Sequence, residues 1–207
     1  MVRLEEMLDR EVGKYLWKVE GMAEVKALLS GKISREDYIK FLKSFYIIEY
    51  ISRKAVLVAA EHTEETNPYL SARFITCARG EQGHAEIALG DLAAMGVEGV
   101  DLSRIPLAGQ YGKFLLDEAE RSPLGILGHS YLFENTSGIM FPGHKKQPHP
   151  SRFIEVHAKE DPGHSIAIKK TVRKIEPELS GNQKDEIAGF TRESGDFFLR
   201  VFESVGS

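Results

Sequence analysis

The stretch His157-Ala-Lys-Glu-Asp161-Pro-Gly-His164 decides how the sequence is interpreted. In a helix, its three side chains that can bind a metal ion lie at positions i, i+4 and i+7. They then fall within about 60° of one another on one face. Two imidazoles and a carboxylate are a ligand set that divalent transition metals favour. Because Pro162 lies between the last two ligands, a kink or a fresh helix start at Asp161 is compatible with this prediction.

A second octet with the same spacing, Cys77-Ala-Arg-Gly-Glu81-Gln-Gly-His84, lies about half a chain earlier. In both octets a carboxylate is followed three residues later by a histidine. Helical bundles that hold two metal ions use Glu-x-x-His on facing helices for this purpose. The two octets therefore predict a metal site between two helices.

Glu134 is the predicted contribution of a third helix. Its helical neighbours three, four and seven residues earlier are Tyr131, Ser130 and Leu127. The carboxylate therefore points along an apolar stripe, where an unpaired charge costs several kcal/mol. We expect Glu134 to bind a cation, and we interpret it as the bridging and catalytic carboxylate.

Two further residues stay open at this point. Glu49 also lies on an apolar stripe, but Arg53 at i+4 offers it a partner, so Glu49 is interpreted as a pocket residue. Cys77 is the single cysteine of the chain. Its alternatives are a thiolate ligand, a nucleophile or a small buried apolar residue.

The predicted metal ligands are Glu81, His84, Glu134, His157, Asp161 and His164. Imidazoles and carboxylates without sulfur suit iron, or manganese as the alternative, better than structural zinc. Six side chains are too many for one catalytic ion with an open position, and they fit about two Fe(II) ions that share a carboxylate. A single ion held by two histidines and one carboxylate is the alternative.

Apolar residues recur at a spacing of three to four over most of the chain, which predicts helices throughout. We expect helices at about 3–30, 34–62, 67–95 and 106–121, one from 122 that is interrupted near 135–138, one from the 157–164 octet to 175, and one at 182–201. The predicted fold class is therefore all-α, a bundle of about seven or eight helices in one domain over residues 1–207. A substrate pocket is expected around Phe45, Glu49 and Tyr131.

Composition excludes several classes of protein. The 207 residues carry a net charge of −4 without a dense basic tract, which is not typical of nucleic-acid binding. No apolar run is long enough to cross a membrane, and charges come too early at the N-terminus for a signal peptide. With one cysteine, a reducing, cytoplasmic location is expected.

At the motif residues the sequence resembles the heme-oxygenase-like superfamily, and within it the iron-containing redox enzymes called heme-oxygenase-like diiron oxidases. The matching stretches cover about the central half of the chain: Glu81-Gln-Gly-His84, Asp91-Leu-Ala-Ala-Met-Gly96, Gly128-His-Ser-Tyr-Leu-Phe-Glu134 and His157 to His164. The resemblance implies a heme-oxygenase-like bundle in which the six predicted residues bind iron. It also implies O₂-dependent oxidation of a small molecule such as an amino acid, amine or fatty acid, with a homodimer as one possible assembly. Some relatives carry a metal-binding acid or histidine where this sequence has Cys77.

Other functions are known on the same fold, so the fold alone does not decide the function. A heme oxygenase would need an axial histidine on the first helix, and none lies between Met1 and Glu61. A thiaminase-like enzyme would need a cysteine nucleophile late in the chain, where this sequence has none. A non-catalytic protein that binds metal structurally, or has lost it, is the remaining alternative.

Overall fold

The computed structural model describes residues 2–101 and 105–205. Nine α-helices make up most of these ranges: α1 (Leu4–Gly21), α2 (Ala23–Leu29), α3 (Arg35–Thr63), α4 (Pro68–Gly80), α5 (His84–Ala94), α6 (Pro106–Arg121), α7 (Gly125–Met140), α8 (Arg152–Ile175) and α9 (Gly181–Val205). The described residues contain no strand, so the prediction of an all-α fold is confirmed. None of their helices is long and apolar enough to cross a bilayer.

Two of the predicted helices are each divided in the structure. The first is interrupted at Met22, whose extended backbone conformation ends α1 before α2 begins at Ala23. The prediction of one continuous helix at 67–95 is wrong, because the helix ends at Gly80 and a new helix begins at His84. Gly83 between them has a φ of 99°, a left-handed conformation that glycine adopts without steric cost.

The helix is regular at two places where the sequence suggested a break or a kink. Helix α7 continues through residues 135–138, where Asn135 and Ser137 each donate to the carbonyl four residues earlier instead of ending the helix. Helix α8 continues through Pro162. A Cβ on Gly138 would lie 3.1 Å from the Asp161 carbonyl oxygen, so this glycine lets α7 approach α8 closely beside the proline.

Aromatic side chains from three helices form the core next to the predicted site. Phe41 and Phe45 of α3 have ring centroids 4.3 Å apart, and Phe45 lies 5.7 Å from Phe153 of α8 and 5.4 Å from Phe198 of α9. The Phe153 ring is in turn 4.2 Å from the His157 ring. This dry aromatic cluster therefore forms one wall behind His157.

The crossing of α7 and α9 at Gly128 leads to a prediction about stability. A Cβ there would overlap the Thr191 hydroxyl and lie 2.5 Å from the Ile187 carbonyl oxygen. We expect Gly128→Ala to lower the free energy of unfolding by about 1–3 kcal/mol, because overpacking forces the helices apart. Urea denaturation measures this change.

Gly90 is the matched control for that measurement. It is exposed on α5, and a Cβ there would meet nothing within 4 Å. Gly90→Ala should therefore raise stability by about 0.5–1 kcal/mol, through helix propensity alone. Equal stability of Gly128→Ala and the wild type would show that the helices do not cross this closely.

Candidate metal centre

Acidic and histidine side chains from four helices and the α4–α5 turn meet in two adjacent groups. Group 1 consists of Glu49, Glu81, His84 and His157, and group 2 consists of Glu134, Asp161 and His164. Within each group, one potential ligand atom per residue lies within 4.8 Å of all the others. All six predicted ligands are thus brought together, and Glu49 joins them.

Group 1 forms around two histidines from α5 and α8. Their ring centroids lie 4.7 Å apart. His84 Nδ1 is 2.7 Å from Glu81 Oε2, and His157 Nε2 is 3.6 Å from Glu49 Oε1. Two imidazole nitrogens and two carboxylates therefore surround one small volume.

Group 2 forms around His164 of α8. Its Nδ1 lies 3.3 Å from Glu134 Oε2 and 3.9 Å from Asp161 Oδ1. The same nitrogen lies 3.3 Å from Glu81 Oε1. Glu81 thus directs one oxygen to a histidine of each group.

The broken helix explains why Glu81 can reach both groups. Glu81 caps the C-terminus of α4, and Gly83 turns the chain so that His84 begins α5. The carboxylate consequently lies in a turn between two helices and not on one helix face. Sequence spacing predicted that Glu81 and His84 would be neighbours, but it could not predict this position.

Contacts outside the two groups position His157. Asp91 of α5 accepts a hydrogen bond from the Phe153 backbone N–H at the start of α8, at 2.9 Å. This interaction fixes α8 against α5 and satisfies a donor that a helix N-terminus leaves free. His157 Nδ1 lies 2.7 Å from the Phe153 carbonyl oxygen, so Nδ1 carries the donated hydrogen and Nε2 faces group 1.

The positions of the donor atoms are better explained by coordination of a metal ion than by hydrogen bonds among these side chains. His84 Nδ1, His157 Nε2, His164 Nδ1 and Asp161 Oδ2 are buried without a hydrogen-bond partner in the described part of the chain. The imidazole nitrogens lie 2.7–3.6 Å from carboxylate oxygens without forming hydrogen bonds to them. Donors about 2.1 Å from one ion and at right angles lie about 3 Å apart, which is the range of several of these distances. Lone pairs that converge on a common point are what a metal ion requires.

Charge coupling shifts the pKa of the histidines. Burial lowers the pKa of His157, but the Glu49 carboxylate outweighs it and raises the pKa to about 9. Glu134 and Glu81 raise the pKa of His164 to about 11, against the effect of burial. Without metal, both imidazoles are therefore protonated near neutral pH.

The pKa values of the carboxylates shift in opposite directions. Burial, together with the charge on Glu81, raises the pKa of Glu134 to about 7. Burial also raises the pKa of Asp161 to about 6. For Glu81 burial acts in the same sense, but contact with His164 and His84 outweighs it and lowers the pKa to about 2. Glu81 is the carboxylate that stays ionised between the groups.

The two residues left open by the sequence now have positions. Arg53 does not pair with Glu49, because its Nε donates to the Ala78 carbonyl oxygen at 3.0 Å. The Cys77 Sγ lies 3.9 Å from Glu134 Oε1, and burial raises the pKa of this thiol. A partly buried thiol whose pKa is raised is a poor nucleophile.

Two cavities adjoin the groups. A small one of about 50 Å³ is lined by residues of both groups, including Glu49, Glu81 and Asp161. A larger one of about 280 Å³ lies between α4, α7 and α8, with Glu81, Glu134 and His164 on its wall. Of the residues predicted to surround the substrate pocket, Glu49 lines the small cavity, whereas Phe45 and Tyr131 line neither of the two. The Tyr131 hydroxyl instead donates to Asp9 at 2.7 Å.

Comparison with known proteins identifies the fold. No protein-family model matches the sequence, and no curated protein matches it significantly. The structure is similar to a TenA homologue from Pyrococcus furiosus, with a TM-score of 0.82 and 16% identity over 98% of this chain and 99% of the other. A domain of unknown function from Shewanella denitrificans has a TM-score of 0.81 and 18% identity over 100% and 93%. A TenA homologue from P. horikoshii has a TM-score of 0.73 and 18% identity over 99% and 98%. The Shewanella domain is described as having a heme oxygenase-like fold, and the present chain has that fold as well.

Proposed function

We propose that the chain is a non-heme diiron oxidase or oxygenase that uses O₂ to oxidise a small molecule of the amino acid, amine or fatty acid class. The observation that carries the proposal is the pair of nitrogen and oxygen groups joined by Glu81, with buried donor atoms that lack partners. Glu49, Glu81, His84 and His157 would hold one ion, and Glu81, Glu134, Asp161 and His164 the other. When bound, two Fe(II) ions supply electrons that O₂ accepts.

The residues of the chain have separate tasks in this proposal. Glu81, whose two oxygens face His84 and His164, would hold both ions. The Phe153 carbonyl holds His157 in the tautomer that presents Nε2. The aromatic wall behind His157 excludes water on that side, and the larger cavity gives substrate access on the side of Glu134 and His164.

Anaerobic loading with Fe(II) tests the proposal. We expect about two irons per chain, followed by consumption of O₂ on exposure to air. His164→Ala should lose iron from group 2, whereas His62→Ala, which removes an exposed histidine of α3, should bind iron like the wild type. No iron uptake by the wild type, or unchanged uptake by His164→Ala, would contradict the diiron proposal. Stable iron without O₂ consumption would favour the non-catalytic alternative.

The second candidate is a thiaminase-like enzyme, and the similarity to TenA homologues favours it. The only cysteine of the chain, Cys77, lines both cavities, so it is the one thiol that could act there. Incubation of the metal-free protein with thiamin distinguishes the two candidates. Thiamin cleavage that Cys77→Ser abolishes would favour the thiaminase-like function.

Metal uptake is expected to release protons. Because His157 and His164 are protonated in the metal-free protein and a metal binds only neutral imidazole, loading near neutral pH should release at least about two protons per chain. The release should shrink as the pH rises through about 9, where His157 loses its proton unaided. A pH-indicator dye in weakly buffered solution, with Mn(II) as an air-stable probe, measures it. Binding of Mn(II) without proton release would show that these imidazoles are already neutral.

A further inference from the structure

The larger cavity has two chemically different ends. Its body is lined by apolar side chains: Leu70, Phe74, Leu127, Ala167 and Ile168. One end carries the ligand residues Glu81, Glu134 and His164. Arg73 and Thr171 also line the cavity, on α4 and α8. An apolar cavity with a few polar groups is typical of a small-molecule site.

Arg73 is held in place but not neutralised. Its Nε donates to Thr171 Oγ1 at 3.2 Å, and the buried Thr171 hydroxyl donates in turn to the Ala167 carbonyl oxygen at 3.0 Å. Among residues 2–101 and 105–205, no acidic side chain forms an ion pair with Arg73. Since a guanidinium has five N–H donors and Thr171 takes one, the remaining donors are available to a ligand.

Helix geometry places this arginine far from the ligand groups. Arg73 precedes Glu81 by eight residues along α4, which corresponds to about 12 Å at 1.5 Å per residue. Thr171 follows His164 by seven residues along α8, or about 10 Å. The Arg73–Thr171 pair therefore lies in the part of the cavity that is remote from the metal ligands, with Leu70 beyond it along α4.

We propose that this cavity binds a monocarboxylate with an apolar body, whose carboxylate pairs with Arg73 and whose apolar end faces Glu81, Glu134 and His164. A planar guanidinium matches a carboxylate in two parallel hydrogen bonds. The opposite orientation would bring the carboxylate against two acidic side chains. The volume of about 280 Å³ is roughly nine times that of a liquid water molecule at ~30 Å³, which suits a ligand the size of octanoate.

The same residues argue against the other substrate classes. An amine would place a positive charge beside Arg73 or, in the metal-loaded protein of the proposed function, beside the metal ions. A zwitterionic amino acid would need an acidic partner for its ammonium group near Arg73, and the described lining at that end offers none. The designation of the monocarboxylate as substrate rests on the proposed function, whereas its binding does not.

Calorimetric titration of the metal-free protein, kept in a chelator, tests the binding. Octanoate should bind the wild type at least about 10-fold more tightly than octanol, which has the same apolar body but no carboxylate. Arg73→Gln should weaken octanoate binding by about 10- to 100-fold, the loss expected for hydrogen bonds to a charged group. Arg73→Lys keeps the charge without the planar fork and should fall between Arg73→Gln and the wild type.

Arg79→Gln is the control, since Arg79 is exposed on the same helix and does not line this cavity. Its octanoate affinity should equal that of the wild type. Even if Arg73→Gln does not fold, the comparison of octanoate with octanol in the wild type still tests whether the cavity recognises a carboxylate. Equal affinity for the two probes, or equal weakening by Arg73→Gln and Arg79→Gln, would overturn the proposal.

The orientation is tested with Mn(II)-loaded protein, because a paramagnetic ion broadens the NMR signals of nearby hydrogens. The octanoate methyl signal should broaden more than the CH₂ signal next to the carboxylate, and the reverse order would overturn the orientation. The two proposals fail in different ways. Octanoate binding without iron uptake would contradict the diiron function alone. Iron uptake with O₂ consumption, but without octanoate binding, would contradict the ligand site alone.

Discussion

Replacing Glu81 by alanine is expected to abolish binding of both metal ions. Its two oxygens lie 2.7 Å from His84 Nδ1 and 3.3 Å from His164 Nδ1, so each group loses a ligand in one substitution. Changes to residues that merely support a metal ligand already weaken affinity by about 10- to 100-fold. Loss of a direct, shared ligand should therefore exceed about 100-fold for each ion. Iron per chain after anaerobic loading and desalting is the measurement.

Substitutions at the outer carboxylates provide the comparison. Glu49→Ala and Glu134→Ala each remove an acid from one group, so each variant should keep about one iron per chain. Glu86→Ala, an exposed acid on α5, should load like the wild type. If Glu134→Ala loses both irons and Glu81→Ala loses one, Glu134 is the bridge, as the sequence led us to expect.

The sequence predicts well which of these side chains come together, because helical spacing is a local property. Glu81 with His84 and Asp161 with His164 are separated by three residues, and one helical turn brings such pairs together whatever the rest of the chain does. His157 extends the second pair along α8, which continues through Pro162. A lone buried charge is costly. The charged side chains of the two octets are therefore expected to be buried against each other.

The division of roles among these residues depends on contacts between distant segments. Arg53 lies one turn from Glu49 and was its expected partner, yet it donates to the carbonyl of Ala78, 25 residues away. Glu49 is thereby left to face His157. The signal that could have found it is its place on an apolar stripe of α3, the same reasoning that singled out Glu134.

The position of Glu81 depends on a single backbone conformation. A continuous helix over 67–95 would direct Glu81 and His84 to one face, and Glu134 would then be the natural bridge. The left-handed Gly83 separates α5 from α4 and leaves Glu81 in the turn, where it faces both groups. Glycine in a helical pattern is often tolerated, so the sequence does not reveal that this one breaks the helix.

Metal loading is expected to raise the melting temperature by about 5–15 °C. Without metal, the fold holds buried donor atoms that lack partners, and a metal that binds only the folded chain stabilises it by about 2.7–4.1 kcal/mol at 100 to 1,000 times its dissociation constant. For a chain of this length, 1 kcal/mol corresponds to about 2–4 °C. Thermal denaturation with Mn(II) or anaerobic Fe(II) measures the shift.

Two controls show where the stabilising ion binds. Glu81→Ala should melt at the same temperature with and without metal, because the shared ligand of both groups is missing. Mg²⁺ should produce a smaller shift than Mn(II), because it prefers oxygen ligands and dehydrates reluctantly, whereas three of the donors here are imidazole nitrogens. An undiminished shift in Glu81→Ala would place the ion elsewhere on the protein. The stabilisation would then not arise from the two groups.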